Sequence, residues 1–207
     1  VAECSDDDKI LNKFISKDLP EWALEDIKAF LKTTKCPIAI RSSSILEDSN
    51  FQPFAGVFST YMIPDSEIDK KVEMVSNAIK SVMASSFFEN SKTYLKALSH
   101  TIEEDKMAVI LQEVTGKQYQ DVYYPNISGV ARSINFYPIG EEKPNEGIAN
   151  IALGLGEMIV GGGKSLRFSP YHPKKVLQLS SPGSTQRDTQ QYFYGLDIDP
   201  ESYQTST

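Results

Sequence analysis

Apolar positions along this chain recur with two different periods, and the switches between them outline a mixed helix and strand protein. Pro20-Glu21-Trp22 opens a helix through about Leu31. Proline suits a first turn, Glu21, Glu25 and Asp26 favour the positive end of the helix dipole, and Trp22, Ile27, Phe30 and Leu31 supply an apolar stripe. Thr33-Thr34-Lys35 ends it, and Cys36 to Arg41 reads as the first strand. Phe58 to Ile63 reads as a second strand, closed by Pro64. From Asp65 the period turns helical: Ile68, Val72, Val75, Ile79 and Val82 recur at spacings of four, three, four and three. Ser85-Ser86 breaks that pattern, and Phe87 to Leu98 resumes it with Phe87, Tyr94, Leu95 and Leu98. Stripes of this kind are core.

The second half is richer in turns. Met107 to Gln112 is a continuous apolar run of buried-strand type, and Thr115 to Tyr119, polar and containing Gly116, reads as a loop or hinge. A strand is expected around Gly129 to Ile134, a loop over Pro138 to Gly147, and a strand over Ile148 to Leu153. Gly154 to Gly163 forms a glycine-rich turn framing Met158-Ile159-Val160. Lys174 to Leu179 is expected as a last short strand before the loop signal Ser180-Ser181-Pro182-Gly183-Ser184. Strands and helices mix without regular βαβ alternation, which makes the fold class α+β.

With 207 residues the chain can bury a substantial core, as one large domain or two small lobes. A net charge of −7 argues against bulk binding to nucleic acid or to an anionic membrane, though a few local cations suffice for a small anion. No apolar run approaches the roughly 18 residues of a membrane span. Cys4 and Cys36 are too few for a disulfide framework and lack metal-site spacing, so the expected location is cytoplasmic. The first residue is Val1, the opening Ser5-Asp6-Asp7-Asp8 has no evident partner strand, and the end is polar. The chain therefore reads as a segment of a longer polypeptide.

Candidate chemistry concentrates in Ile38-Ala39-Ile40-Arg41-Ser42-Ser43-Ser44-Ile45-Leu46-Glu47-Asp48, followed by Phe54-Ala55-Gly56-Val57-Phe58-Ser59-Thr60. An arginine that can meet phosphate oxygens with paired hydrogen bonds, a glycine that lets backbone N–H groups approach, and a hydroxyl are parts of a polyphosphate site. The same residues also fit a core strand with a surface arginine and a serine-rich turn. Two histidines with scattered acids make a poor zinc site, and neither a Gly-x-Ser-x-Gly elbow nor a Walker P-loop is present.

This stretch resembles the Val-Arg-Ser-Ser-Ala-x-x-Glu-Asp … Phe-Ala-Gly-x-x-x-Thr signature of the nucleotide-binding domain of pyruvate phosphate dikinases and phosphoenolpyruvate synthases. Three further segments are similar to that family's elements, in its order: Met107-Ala108-Val109-Ile110-Leu111-Gln112, Ser128-Gly129-Val130, and Gly154-Leu155-Gly156-Glu157-Met158-Ile159-Val160-Gly161-Gly162. The resemblance runs from about Ile38 to Gly163. It implies an ATP-grasp-like nucleotide-binding domain, in incomplete form. Residues 1–113 would form a first lobe with the Arg-Ser-Ser strand and a glycine lid loop. Residues 114–207 would form a second lobe, with the alternative of one domain left open.

The resemblance implies further that Arg41, Gly56 and Thr60 hold the phosphates of ATP and that Gln112 sits near adenine, where main-chain groups of Glu113 and Val114 could serve as well. Magnesium would bridge the phosphates. In intact relatives this domain phosphorylates a histidine on a separate carrier domain, and the phosphate then passes to pyruvate bound by another domain. A related dikinase acting on a glycan or an antibiotic, and a non-catalytic nucleotide-binding or interaction module, are the alternatives. Departures from the pattern are visible. A phosphate-contacting lysine expected upstream has no match in the contexts of Lys9, Lys13 or Lys17, no Gln-x-Arg occurs in the chain, and Ala131-Arg132-Ser133-Ile134 follows Ser-Gly-Val where Phe-Thr is usual. The isolated chain is therefore expected to be inactive and to bind ATP weakly. Glu157 leans towards a structural role, and Lys164 and Arg167 towards solvated charges.

Overall fold

The computed structural model describes residues 4–44, 58–97 and 106–199. They fall into two compact units, one made of the residues up to Val114 together with Asp199 and one running from Thr115 to Ile198.

The first unit begins with helix α1, Asp7–Ile15. The acidic opening is its N-terminus: the Asp6 carboxylate accepts from the Lys9 N–H, and Asp7 and Asp8 occupy the first turn, where the helix dipole favours negative charge. Helix α2 spans Glu21–Thr33, α3 Ile68–Ser85 and α4 Glu89–Ala97, and strands β1, β2 and β3 span Ile38–Ser44, Tyr61–Ile63 and Met107–Glu113. The strands form an antiparallel sheet in the order β2-β1-β3. Ile38 and Ile40 of β1, Tyr61 and Ile63 of β2, and Val75, Ala78 and Val82 of α3 bury the core on one face, with Ile27 and Leu31 of α2.

Two expectations on burial fail. Trp22 is 69% exposed. At about 100° per residue the nine positions separating it from buried Leu31 place it on the opposite side of α2. The β3 run is not buried on both faces. Met107, Val109 and Leu111 pack on the core, whereas Ala108, Ile110 and Gln112 are exposed. A continuous apolar run does not reveal that one face of its strand is left uncovered by the described residues.

Lys71 of α3 is fully buried and donates from its ammonium to the Asp65 carboxylate, to Cys36 O at 3.0 Å and to Thr34 O at 3.4 Å. Three donors meet three acceptors, tying α3 to the approach to β1. The Thr34 hydroxyl in turn donates to Glu113 Oε1 at 3.1 Å, at the end of β3. Lys71→Met keeps the volume but leaves two carbonyls near the core without their donor. A loss of roughly 2–3 kcal/mol in urea unfolding is expected, towards the lower side because Asp65 is half-exposed and can be rehydrated. A loss under about 0.5 kcal/mol would show that water replaces the ammonium without cost.

The second unit contains two antiparallel three-stranded sheets. Strands β4, Lys117–Tyr119, and β5, Val122–Tyr124, form a hairpin that β9, Leu196–Asp197, extends. The segment expected as a loop or hinge is thus partly strand. All three β4 residues are exposed, so they show no apolar alternation. Strands β6, Ser128–Arg132, β7, Ile148–Ala152, and β8, Leu166–Phe168, form the other sheet. Short helix α5, Glu157–Val160, lies inside the expected glycine-rich turn and buries Met158.

Lys174 to Leu179 is not a strand. Its only regular structure is a 3₁₀ turn at Leu177–Leu179, with Leu177 and Leu179 both exposed. The serine-proline-glycine segment that reads as a loop starts helix α6, Pro182–Asp188. Ser181 caps it by accepting from the Ser184 N–H, and Pro182 occupies a first-turn position. Among the described residues no helix is long and apolar enough to cross a membrane.

Candidate functional site

Alternation along β1 sends Ile38, Ile40, Ser42 and Ser44 into the core and turns Arg41 towards solvent. Of the serines that follow Arg41, Ser42 and Ser44 are therefore buried, and only Ser43 shares the arginine's face. The strand register places Arg41 opposite Ile110 and Ala39 opposite Gln112. Directly paired residues of antiparallel strands point to the same face, so Arg41, Ile110 and Gln112 form one open surface. The Arg41 guanidinium approaches the Gln112 amide oxygen at 3.5 Å, the far limit of a hydrogen bond. Thr60 is exposed and immediately precedes β2, and continuing the β1–β2 register by one pair sets it level with Arg41. Gly56, like Glu47 and Asp48, lies outside the described residues.

A guanidinium, a side-chain amide and the half-exposed Ile110 between them offer an anion a bidentate donor and a flat ring an apolar seat with a polar edge. That combination suits a nucleotide. Among the described residues no group of three or more His, Cys, Asp and Glu side chains converges to hold a metal ion. Glu113, the acid nearest in sequence to Gln112, accepts from Thr34 instead. Burial raises the Cys36 thiol pKa, with the charge of Glu113 adding to the effect, so this cysteine is no thiolate nucleophile near neutral pH.

In the second unit, Gly129 is the middle of the Ser-Gly-Val element and lies in β6. A Cβ there would come within 2.5 Å of Asn150 O on β7, which requires glycine. Beyond it, Arg132 and Asn150 share a groove of about 560 Å³ with Gly162 and Gly163. Glu157 starts α5, and its carboxylate lies against Gly161, consistent with a local structural role.

Arg167 is engaged rather than solvated, while Lys164 remains exposed. The Arg167 guanidinium meets both oxygens of Glu142, at 3.2 and 3.0 Å, and donates to Tyr137 O at 2.8 Å. Buried Asn135 donates to Glu142 Oε2 at 2.9 Å. Together these bonds clasp the β6–β7 connection onto β8. Lys164 donates to Arg187 O. The chain pattern did not reveal the clasp because its members lie 25 and 32 positions from Arg167.

Hydrogen bonding to Arg167 is the main cause that lowers the Glu142 pKa. A lowered folded-state pKa gives stability that is complete above the ordinary glutamate range and lost as pH falls through the lowered value. The stability gap between wild type and Arg167→Met should therefore be widest near neutral pH and shrink on acidification through that window. A gap independent of pH in urea melts would mean that packing, not the ion pair, holds the loop.

Fold and site together define a mixed α+β protein with an open sheet face suited to a nucleotide. The chain belongs to the family described as pyruvate phosphate dikinase, AMP/ATP-binding domain, whose model matches residues 4–189. A phosphoenolpyruvate synthase of Aeropyrum pernix is 26% identical over 160 residues, covering 74% of this chain and 18% of that protein. A Bacillus subtilis protein named as an uncharacterized phosphotransferase, YvkC, is 30% identical over 125 residues, covering 60% of this chain and 13% of its own length. The chain thus spans less than a fifth of either curated relative.

Proposed function

We propose that this chain is the ATP-binding part of a larger phosphotransferase of the phosphoenolpyruvate synthase type. In this reading the nucleotide lies on the open face of the β2-β1-β3 sheet. Arg41 grips phosphate oxygens, with Gly56 and Thr60 contributing a backbone approach and a hydroxyl, and Gln112 faces the base. A histidine of a separate carrier domain takes a phosphoryl group from ATP, and the phosphate passes on to pyruvate. Transfer of this kind rests on positioning and charge neutralisation more than on a nucleophile in the ATP-binding part. The observation that carries the proposal is the pairing of Arg41 with Gln112 on one solvent-facing surface, in a chain of an AMP/ATP-binding family.

The experiment has two arms. Isothermal titration of the chain with Mg-ATP should show binding weaker than micromolar, because the upstream lysine and the Gln-x-Arg element are missing from its sequence. The full-length protein, given radiolabelled ATP, should acquire an acid-labile, base-stable phosphate on histidine, which added pyruvate discharges. No labelled histidine would overturn the proposal. Labelling that pyruvate fails to discharge would leave the ATP reading and remove the acceptor.

A further inference from the structure

A groove where α1 meets α3 in the first unit lies outside the nucleotide reading and has a chemistry of its own. It encloses about 360 Å³, at the small end of ligand-binding cavities. Phe14, Leu19 and Met83 make its floor. The Phe14 ring packs on Phe87 at 5.6 Å between centroids, which fixes it, while Met83 is 40% exposed and free to adapt to a guest.

Lys13, Lys17 and Lys80 stand around this floor, with Asp18 as the one acid in the lining. Lys80 donates to Ile15 O at 3.0 Å, in the last turn of α1, so its ammonium is held in place. The ammonium groups of Lys13 and Lys17 have no partner among the described residues. Three cations against one anion reverse, at this spot, the sign of a chain whose net charge is −7. An apolar floor retains a hydrocarbon or ring, and a cationic rim retains a negative head group. From this complementarity we infer that the groove binds a small anionic amphiphile, with a carboxylate, sulfonate or phosphate head on an apolar body.

Titration of the chain with anilinonaphthalene sulfonate, followed by fluorescence, should give a saturable one-to-one signal that decanoate displaces. Lys13→Glu/Lys17→Glu should weaken both anions by roughly tenfold at low salt, two exposed charges acting together. Decanol, which has the same body without the charge, should bind wild type and variant alike. Met83→Glu should weaken all three ligands by placing a charge in the floor. Lys13→Gln/Lys17→Gln serves if charge reversal disturbs folding, and should act in the same direction with a smaller loss. Absent or non-saturable binding, or binding unchanged in the lysine and Met83 variants, would overturn the inference. ATP titrations should be the same in all of these variants, which separates this site from the nucleotide surface.

Discussion

Replacing Gly154 by alanine should lower stability by about 3 kcal/mol, or roughly 6–12 °C in melting temperature for a chain of this size. Two costs add. Gly154 has φ of 88°, in the region that residues with a Cβ adopt at a penalty. The added Cβ would also lie 2.5 Å from Tyr194 O and 2.9 Å from Phe193 Cβ. Those neighbours are backbone and packed side chain, not the end of a flexible group. The site is stitched as well: Gly154 N–H donates to Pro125 O and Leu155 N–H to Tyr194 O, at 3.1 and 2.8 Å. Moving the 193–194 segment away would break the second of these bonds. Gly162 supplies the control, since its φ of 74° carries the conformational cost but nothing lies within 4 Å of its Cβ position. Gly162→Ala should cost only about 1 kcal/mol. Equal losses in the two variants, measured by thermal and urea unfolding, would show that close packing at Gly154 is not what selects glycine.

Arg41→Lys should slow nucleotide-dependent phosphorylation of the full-length protein roughly 10- to 100-fold while leaving its melting temperature unchanged. Lysine keeps the charge but loses the planar fork that meets two phosphate oxygens together, and charged hydrogen bonds of this kind are worth about 1.5–3 kcal/mol. Arg41 is exposed on the open face of β1, so its fold contribution is small. Single-turnover transfer from ATP and a melt on the same sample separate the roles. Unchanged transfer would reduce Arg41 to a surface residue whose contact is the Gln112 amide.

Chemical type at the candidate site was legible in the chain, but its partnerships were not. Arg41 and Gln112 can be picked out by residue type and family pattern, yet 71 positions separate them and only the antiparallel β1–β3 register brings them together. Arg167 shows the converse. Its position after a triple glycine suggested a solvated cation, and the fold instead buries part of it against Glu142 and Asn135. An arginine's partner is chosen by what the fold brings near, and local composition carries no record of that choice.

The chain pattern by itself determined the class α+β and the existence of α2, α3, α4, β1 and β7 with ends within a few residues; the family came from the resemblance of its ordered motifs. Those elements have strong periods or long apolar runs, so local physics already favours one state. Tertiary structure alone decided which side of each element is wet. It turned Trp22 outward, left one face of β3 open beside Arg41, and enclosed Lys71 among three acceptors where sequence offers only another helix lysine. It also made strand from the polar residues Lys117–Tyr119 and Leu196–Asp197, whose pairing depends on partners far along the chain. Burial and long-range pairing depend on residues distant in sequence, and so emerge only when the whole chain has folded.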